Sequence, residues 1–177
     1  MSLAIDPGNE RSAWLLFQGA QIVKFGIDDN HELLERMANG QLSSGREALA
    51  IEMIASYGMP VGREVFETCM WIGRFIQAWQ GPYKLVYRKD VKLHLCGQPR
   101  AKDSHIRQAL LDRFGPGKDK AVGTKRAPGP LYGVSADVWS ALAVAVTFAD
   151  TQQEGKHVAL PPIADCGEAG RGTGEHA

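Results

Sequence analysis

The chain opens on a short apolar run, Leu3-Ala4-Ile5, that ends in an acid and a turn, Asp6-Pro7-Gly8. A run this short, stopped by Pro and Gly, reads as a strand followed by a turn rather than as a helix. Its last residue is a carboxylate, either a simple turn former or a group held at a strand end for chemistry. Two more apolar runs follow closely, Trp14-Leu15-Leu16-Phe17 and Ile22 to Ile27, separated by Gln18-Gly19-Ala20-Gln21. Three strands joined by short turns form an antiparallel meander.

Beyond the meander the periods change. His31 to Met37 makes a short helix. Ala48-Leu49-Ala50-Ile51-Glu52 reads as a buried strand ending in a second carboxylate, with a helical reading left open. Val61 to Trp79 is the clearest helix, with Val65, Cys69, Ile72, Ile76 and Trp79 recurring at spacings of four and three. Phe66, Met70 and Phe75 widen that stripe, and Gly62 and Gly73 allow close backbone approach. Such a helix is either buried in the core, the favoured reading, or shared between the core and a second copy of the chain. Leu85-Val86-Tyr87 is a further strand, and Val91 to Leu95 a segment of undecided type. Asp103 to Phe114 is helical, with Ile106, Leu110 and Leu111 inward and Gly115-Pro116-Gly117 as its stop. A last helix, capped by Ser135, runs to about Phe148 with Val138, Leu142 and Val146 in one row. The order of strands and helices predicts a mixed α/β domain over residues 1–150. From 151 to 177 the Pro, Gly and polar residues predict a flexible tail.

Length and composition narrow the class. A chain of 177 residues suits one domain with a real core. No apolar run reaches the roughly 20 residues that cross a bilayer, and the first residues lack the basic and apolar regions of a leader. Cys69, Cys96 and Cys166 are odd in number and never paired as CxxC, which points to a reducing, cytoplasmic compartment. His94-x-Cys96 has no second ligand pair at zinc spacing.

The net charge is zero, yet the charges are segregated. Lys84 to Arg126 carries 12 Lys and Arg against 4 Asp and Glu, leaving 8 basic and 16 acidic residues elsewhere. This stretch is either a solvated surface or a face for phosphates. Within it, residues 115–133 are rich in Gly and Pro and hold Lys118, Lys120, Lys125 and Arg126, as a binding loop would.

Phosphodiester hydrolysis at neutral pH needs an activated water and relief of charge on the leaving oxygen, which two divalent ions about 4 Å apart can supply. Mg²⁺ takes a few carboxylates and keeps several waters. Asp6 and Glu52 would lie side by side if their strands are neighbours. Asp137, in the first turn of the last helix, can point at the same place; an acid there is also favoured by the helix dipole.

Leu3-Ala4-Ile5-Asp6-Pro7-Gly8 resembles the opening strand of RuvC-like Holliday-junction resolvases, and Ser135-Ala136-Asp137-Val138-Trp139-Ser140-Ala141-Leu142-Ala143-Val144-Ala145 resembles their closing helix. Glu52 takes the place of the family's glutamate on the fourth strand. The likeness spans residues 3 to 148, and the segment from Ala101 to Val146 is similar to a bacteriophage-encoded branch. The resemblance implies an RNase H-like fold: a five-stranded sheet, three antiparallel strands plus two parallel, flanked by helices. It implies a homodimer acting on a four-way DNA junction with two Mg²⁺ or Mn²⁺ ions per site, in the cytoplasm of a host cell if phage-encoded. Asp6, Glu52 and Asp137 carry over as metal-binding, catalytic acids.

The departures are specific. Ser140 stands where the bacterial pattern has a second acid. Ala101-Lys102-Asp103-Ser104-His105 offers Lys102 shifted by one from the family's lysine, with Asp103 in its place. Asp103 either restores a fourth catalytic carboxylate or serves as the first-turn acid of its own helix. Lys102 and His105 either stabilise the scissile phosphate or are ordinary surface residues; Arg107 joins them among the expected DNA contacts. Two other nuclease-fold readings stay open: action on RNA–DNA hybrids, and junction binding by a decayed site. An actin-like ATPase also opens with an acid and Gly after its first strand, but needs two such domains.

Overall fold

The computed structural model describes residues 1–42, 47–56 and 58–153. Five strands form one sheet: β1 (Ser2–Asp6), β2 (Arg11–Gln18), β3 (Gln21–Asp29), β4 (Ala48–Met53) and β5 (Tyr83–Tyr87). Their order across the sheet is β3-β2-β1-β4-β5. β1 and β3 each pair antiparallel with β2, whereas β1, β4 and β5 run parallel. This is the expected three-plus-two sheet. The helices are α1 (Asn30–Ala38), α2 (Arg63–Ala78), α3 (Arg88–Cys96), α4 (Asp103–Phe114), the single turn α5 (Lys118–Ala121) and α6 (Val138–Gln153). The undecided segment at Val91 to Leu95 is therefore helix α3. α6 also runs through 151–153, so the tail expected from residue 151 lies, from 154 onward, outside the described residues.

Strand alternation sorts the core into two layers. On one face Ala4, Ala13, Leu15, Phe17, Ala50 and Val86 pack with α6, α3 and α4. On the other face Leu3, Ile5, Trp14, Leu16, Leu49 and Ile51 pack with Ile72 and Phe75 of α2, Trp79 just after it, and Leu33 and Met37 of α1. The central strands β1 and β4 are thus covered on both sides, which explains why they read as unbroken apolar runs. Ala4 lies opposite Ala50 in the parallel register, and both are fully buried. Small residues there let α6 lie close, and α6 is itself rich in small buried residues, Ala141, Ala143 and Ala145. Every residue from Ala141 to Phe148 is buried, so α6 is enclosed all round rather than along the single row its periodicity suggested.

α2 corrects the sequence reading in one respect. Thr68, Ile72, Phe75 and Trp79 are buried, but Phe66 and Met70 are 62% and 66% exposed. The stripe is wider than one sheet face requires, and no other part of the described chain covers the excess. Gly62 and Gly73 approach nothing: a Cβ at either would meet open space.

Two turns use glycine for space. A Cβ at Gly8 would stand 2.4 Å from the Arg11 carbonyl oxygen, so the β1–β2 turn requires glycine. At Gly123, φ is +69° and a Cβ would fall 2.3 Å from the Ala127 oxygen. Residues 115–133 are consequently folded rather than loose. Gly123 bridges to Pro128, Thr124 and Ala127 exchange backbone hydrogen bonds of 3.0 and 3.1 Å, and buried Ala121 and Leu131 anchor the segment. Lys125 and Arg126 sit exposed at its tip.

Candidate active site

The parallel strands β1, β4 and β5 end at the same sheet edge. The pairing Ile5–Ile51 makes Asp6 and Glu52 the next positions on adjacent strands. Both share a face with Ala4 and Ala50, so both carboxyls emerge on the α6 side. They are close enough to hydrogen-bond each other and are largely shielded from water. Burial, then the Glu52 charge, pushes the Asp6 carboxyl up to about 8; Asp137 adds to this, while Arg88 and a hydrogen bond from Ser140 oppose it. Glu52 is likewise raised, chiefly by burial, against the pull of Arg88. Two like charges forced together at low dielectric hold a proton that water would remove.

The turn after Asp6 is fixed by a buried polar network that the sequence did not reveal. Ser12 Oγ donates to Asn30 Oδ1 at 2.6 Å, Asn30 Nδ2 donates to the Gly8 carbonyl at 2.9 Å, and Gly8 N–H donates to Ser12 Oγ at 3.3 Å. Both side chains are fully buried. The first turn of α1 is thereby tied to the loop that carries Asp6.

Asp137 stands immediately before α6 rather than within its first turn, and is exposed. Its carbonyl accepts from Ala141 N–H at 3.1 Å, so Asp137, not Ser135, occupies the N-cap position. The preceding Ala136 has φ of +44°, a left-handed conformation unusual for alanine. Ser140, expected as an acid's weak substitute, instead holds Asp6 by its hydroxyl.

Arg88 and Lys92 complete the site, and neither was among the expected residues. Arg88 Nη1 lies 3.5 Å from Glu52 Oε2, and its Nη2 lies 3.0 Å from Asp103 Oδ1. Lys92 Nζ is 3.9 Å from the same Asp103 oxygen. Arg88 directly follows β5, where the register Met53–Tyr87 and strand alternation place it on the side of Val86 and Glu52. That parity was the available signal.

Asp103 is the first residue of α4 and its side chain is 71% exposed. Lys102 occupies the N-cap, where its backbone N–H donates to His105 Nδ1 at 3.4 Å. Both are exposed, as is Arg107, whose guanidinium stacks 4.7 Å from the Trp139 ring centre. Arg88, Asp103, Ser104, Arg107, Trp139 and Ser140 line a cleft of about 370 Å³ beside the carboxylates. Lys118, Lys120, Lys125 and Arg126 are exposed, on and after α5 rather than at the ends of β1 and β4. His94 and Asp150 meet at 2.7 Å, and Arg113 grips both Asp150 oxygens at 2.7 Å, bracing α3 and α4 on α6. Burial raises Asp150, but the hydrogen bonds from Arg113 and His94 prevail and hold it below the usual carboxylate range. His94 is thus a structural partner.

The donor chemistry at Asp6 and Glu52 suits a hard divalent cation, because paired carboxylates that share a proton can exchange it for a metal ion. Among the described residues, however, no three His, Cys, Asp or Glu side chains are drawn together into a ready cage. Asp6 and Glu52 are brought together; Asp137 lies within electrostatic reach of Asp6, and Asp103 within reach of Glu52.

A sheet of this order, with acids at the ends of β1 and β4 and a third before a closing helix, defines the RNase H-like fold. Among solved structures the chain matches RuvC of Thermus thermophilus, with TM-score 0.58 and 17% identity over 87% of this chain and 96% of that one. It also matches T. thermophilus RuvC in complex with a Holliday junction substrate, with TM-score 0.58 and 16% identity over 87% and 95%. At this identity the likeness establishes the fold. No family model matches the chain, and no curated protein matches it.

Proposed function

We propose that the protein is a metal-dependent endonuclease that resolves four-way DNA junctions. The observation that carries this reading is the meeting of Asp6 and Glu52 at the carboxyl edge of the sheet, beside Asp137, in a fold shared with a protein solved on a Holliday junction. Asp6, Glu52 and Asp137 would hold two Mg²⁺ or Mn²⁺ ions. When bound, such ions activate the attacking water and offset charge on the leaving oxygen.

The chain's own residues do the rest. Ser140 orients the Asp6 carboxyl from α6, and the Ser12–Asn30 network fixes the loop that follows it. Lys102, His105 and Arg107, at the start of α4, line the approach to the carboxylates and bind phosphates there. Lys118, Lys120, Lys125 and Arg126 extend the phosphate-binding face along the folded segment that follows. Residues 1–150 act as the nuclease domain. Two copies join through the apolar surface of α2, where Phe66 and Met70 are exposed, so that two sites face a two-fold junction. Among the described residues no helix is long and apolar enough to cross a membrane. We place the reaction in the cytoplasm, that of a bacterial host if the chain belongs to the bacteriophage-type branch it resembles.

The test is cleavage of a labelled four-way junction against linear duplex and RNA–DNA hybrid, with Mg²⁺ or chelator, using wild type and Asp6→Asn. Paired nicks confined to the junction, abolished by chelator and by the substitution, establish the activity. Cleavage confined to the hybrid replaces the substrate, and junction binding without cleavage replaces the enzyme with a binding protein.

A further inference from the structure

Resting on the nuclease reading above, we infer that Arg88 is the phosphate-gripping residue of the site, and that Asp103 is its holder rather than a metal ligand. The guanidinium bridges two unequal acids: a long 3.5 Å contact to shielded Glu52 and a closer 3.0 Å contact to Asp103. Asp103 is 71% exposed, so water screens the closer pair, and breaking it costs little. Arg88 itself is 26% exposed and lines the cleft with Ser140 and Arg107. Its planar fork presents five donors, more than these two contacts use, and that fork matches two oxygens of one phosphate. A phosphate entering the cleft therefore takes Arg88 from Asp103 without a new cation having to approach.

Arg88 also sets a trade-off. A fixed positive charge beside Glu52 competes with a divalent cation for that carboxylate. It thus weakens metal binding while assisting the reacting phosphate, whose charge it offsets as bonds change. A side chain that merely supports the fold would weaken both when removed.

The experiment measures Mn²⁺ affinity by electron paramagnetic resonance and junction cleavage at saturating substrate. The proteins are wild type, Arg88→Gln, Arg88→Lys, Asp103→Asn and the Arg88→Gln/Asp103→Asn double variant. Arg88→Gln is expected to bind Mn²⁺ about threefold more tightly and to lose about 100-fold in kcat, with Arg88→Lys recovering part of the rate. Asp103→Asn is expected to change Mn²⁺ affinity less than about threefold, and the double variant to cleave no worse than Arg88→Gln alone, because Asp103 acts through Arg88. Weaker Mn²⁺ binding in both Arg88 variants, or unchanged kcat, overturns the role of Arg88. Strongly weakened Mn²⁺ binding in Asp103→Asn overturns that of Asp103. Failure of wild type to cut any junction overturns the nuclease reading instead.

Discussion

The hydroxyl of Ser140, three residues into α6, donates a hydrogen bond to the carboxyl of Asp6 at the end of β1. This bond joins the closing helix to the opening strand at the position where the two carboxylates meet. It also stabilises the charged form of an acid that burial would keep neutral.

Replacing Ser140 by Asp adds a third carboxylate to the Asp6–Glu52 pair. In chelator the added repulsion is expected to lower Tm, by about 1–3 kcal/mol of stability. Mg²⁺ or Mn²⁺ is expected to restore that loss, because a cation binding only the folded chain stabilises it by mass action. Thermal melts with and without metal check this. A metal-induced rise no larger than in wild type means that the carboxylates do not form a cation site.

The Asp6 carboxyl predicts a pH signature in metal-free protein. Its folded value of about 8 lies above the unfolded value of 3.8. Between these limits the folded state keeps a proton that the unfolded state releases, so wild-type stability falls as pH rises from about 4 to about 8. Asp6→Asn carries no such proton. Its advantage is expected to be small near pH 4 and to grow steadily as pH rises toward 9, read as a widening gap in Tm. Melts across that range in chelator check it. An advantage independent of pH assigns the stabilisation to something other than charge burial.

The apolar surface of α2 predicts an oligomer. Phe66→Glu and Met70→Glu are expected to convert a dimer to a monomer in light scattering coupled to size exclusion. Monomer stability should change within about 0.5 kcal/mol, since both side chains are exposed. The junction would then be nicked singly rather than in pairs. A large drop in Tm would instead place these residues in the core.

The layout of the sheet was readable because its signals are local. Short apolar runs and turns marked β1 to β5, and Glu52 at a strand end predicted its meeting with Asp6. The parts that escaped depend on neighbours distant in sequence. α3 was undecided because its exposed Lys89 and Leu93 blur the helical period; only contact with α4 and α6 fixes it. Asn30 carries no local signal of burial, yet it is fully buried against Ser12. Arg88 was one of many cations in a basic stretch, and only the β4–β5 register singles it out. Phe66 and Met70 were assigned inward because period alone does not tell whether a second layer covers a helix's far side.

The enclosure of α6 bears on how the chain matures during synthesis. β1, β2 and β4 emerge from the ribosome first, yet the apolar layer formed by Ala4, Leu15, Phe17 and Ala50 is completed only when α6 is made. That same helix brings Ser140, and Asp137 directly before it. Closing the core and assembling the carboxylate site are therefore one late event, and a partly made chain carries the first two acids without the element that orients them.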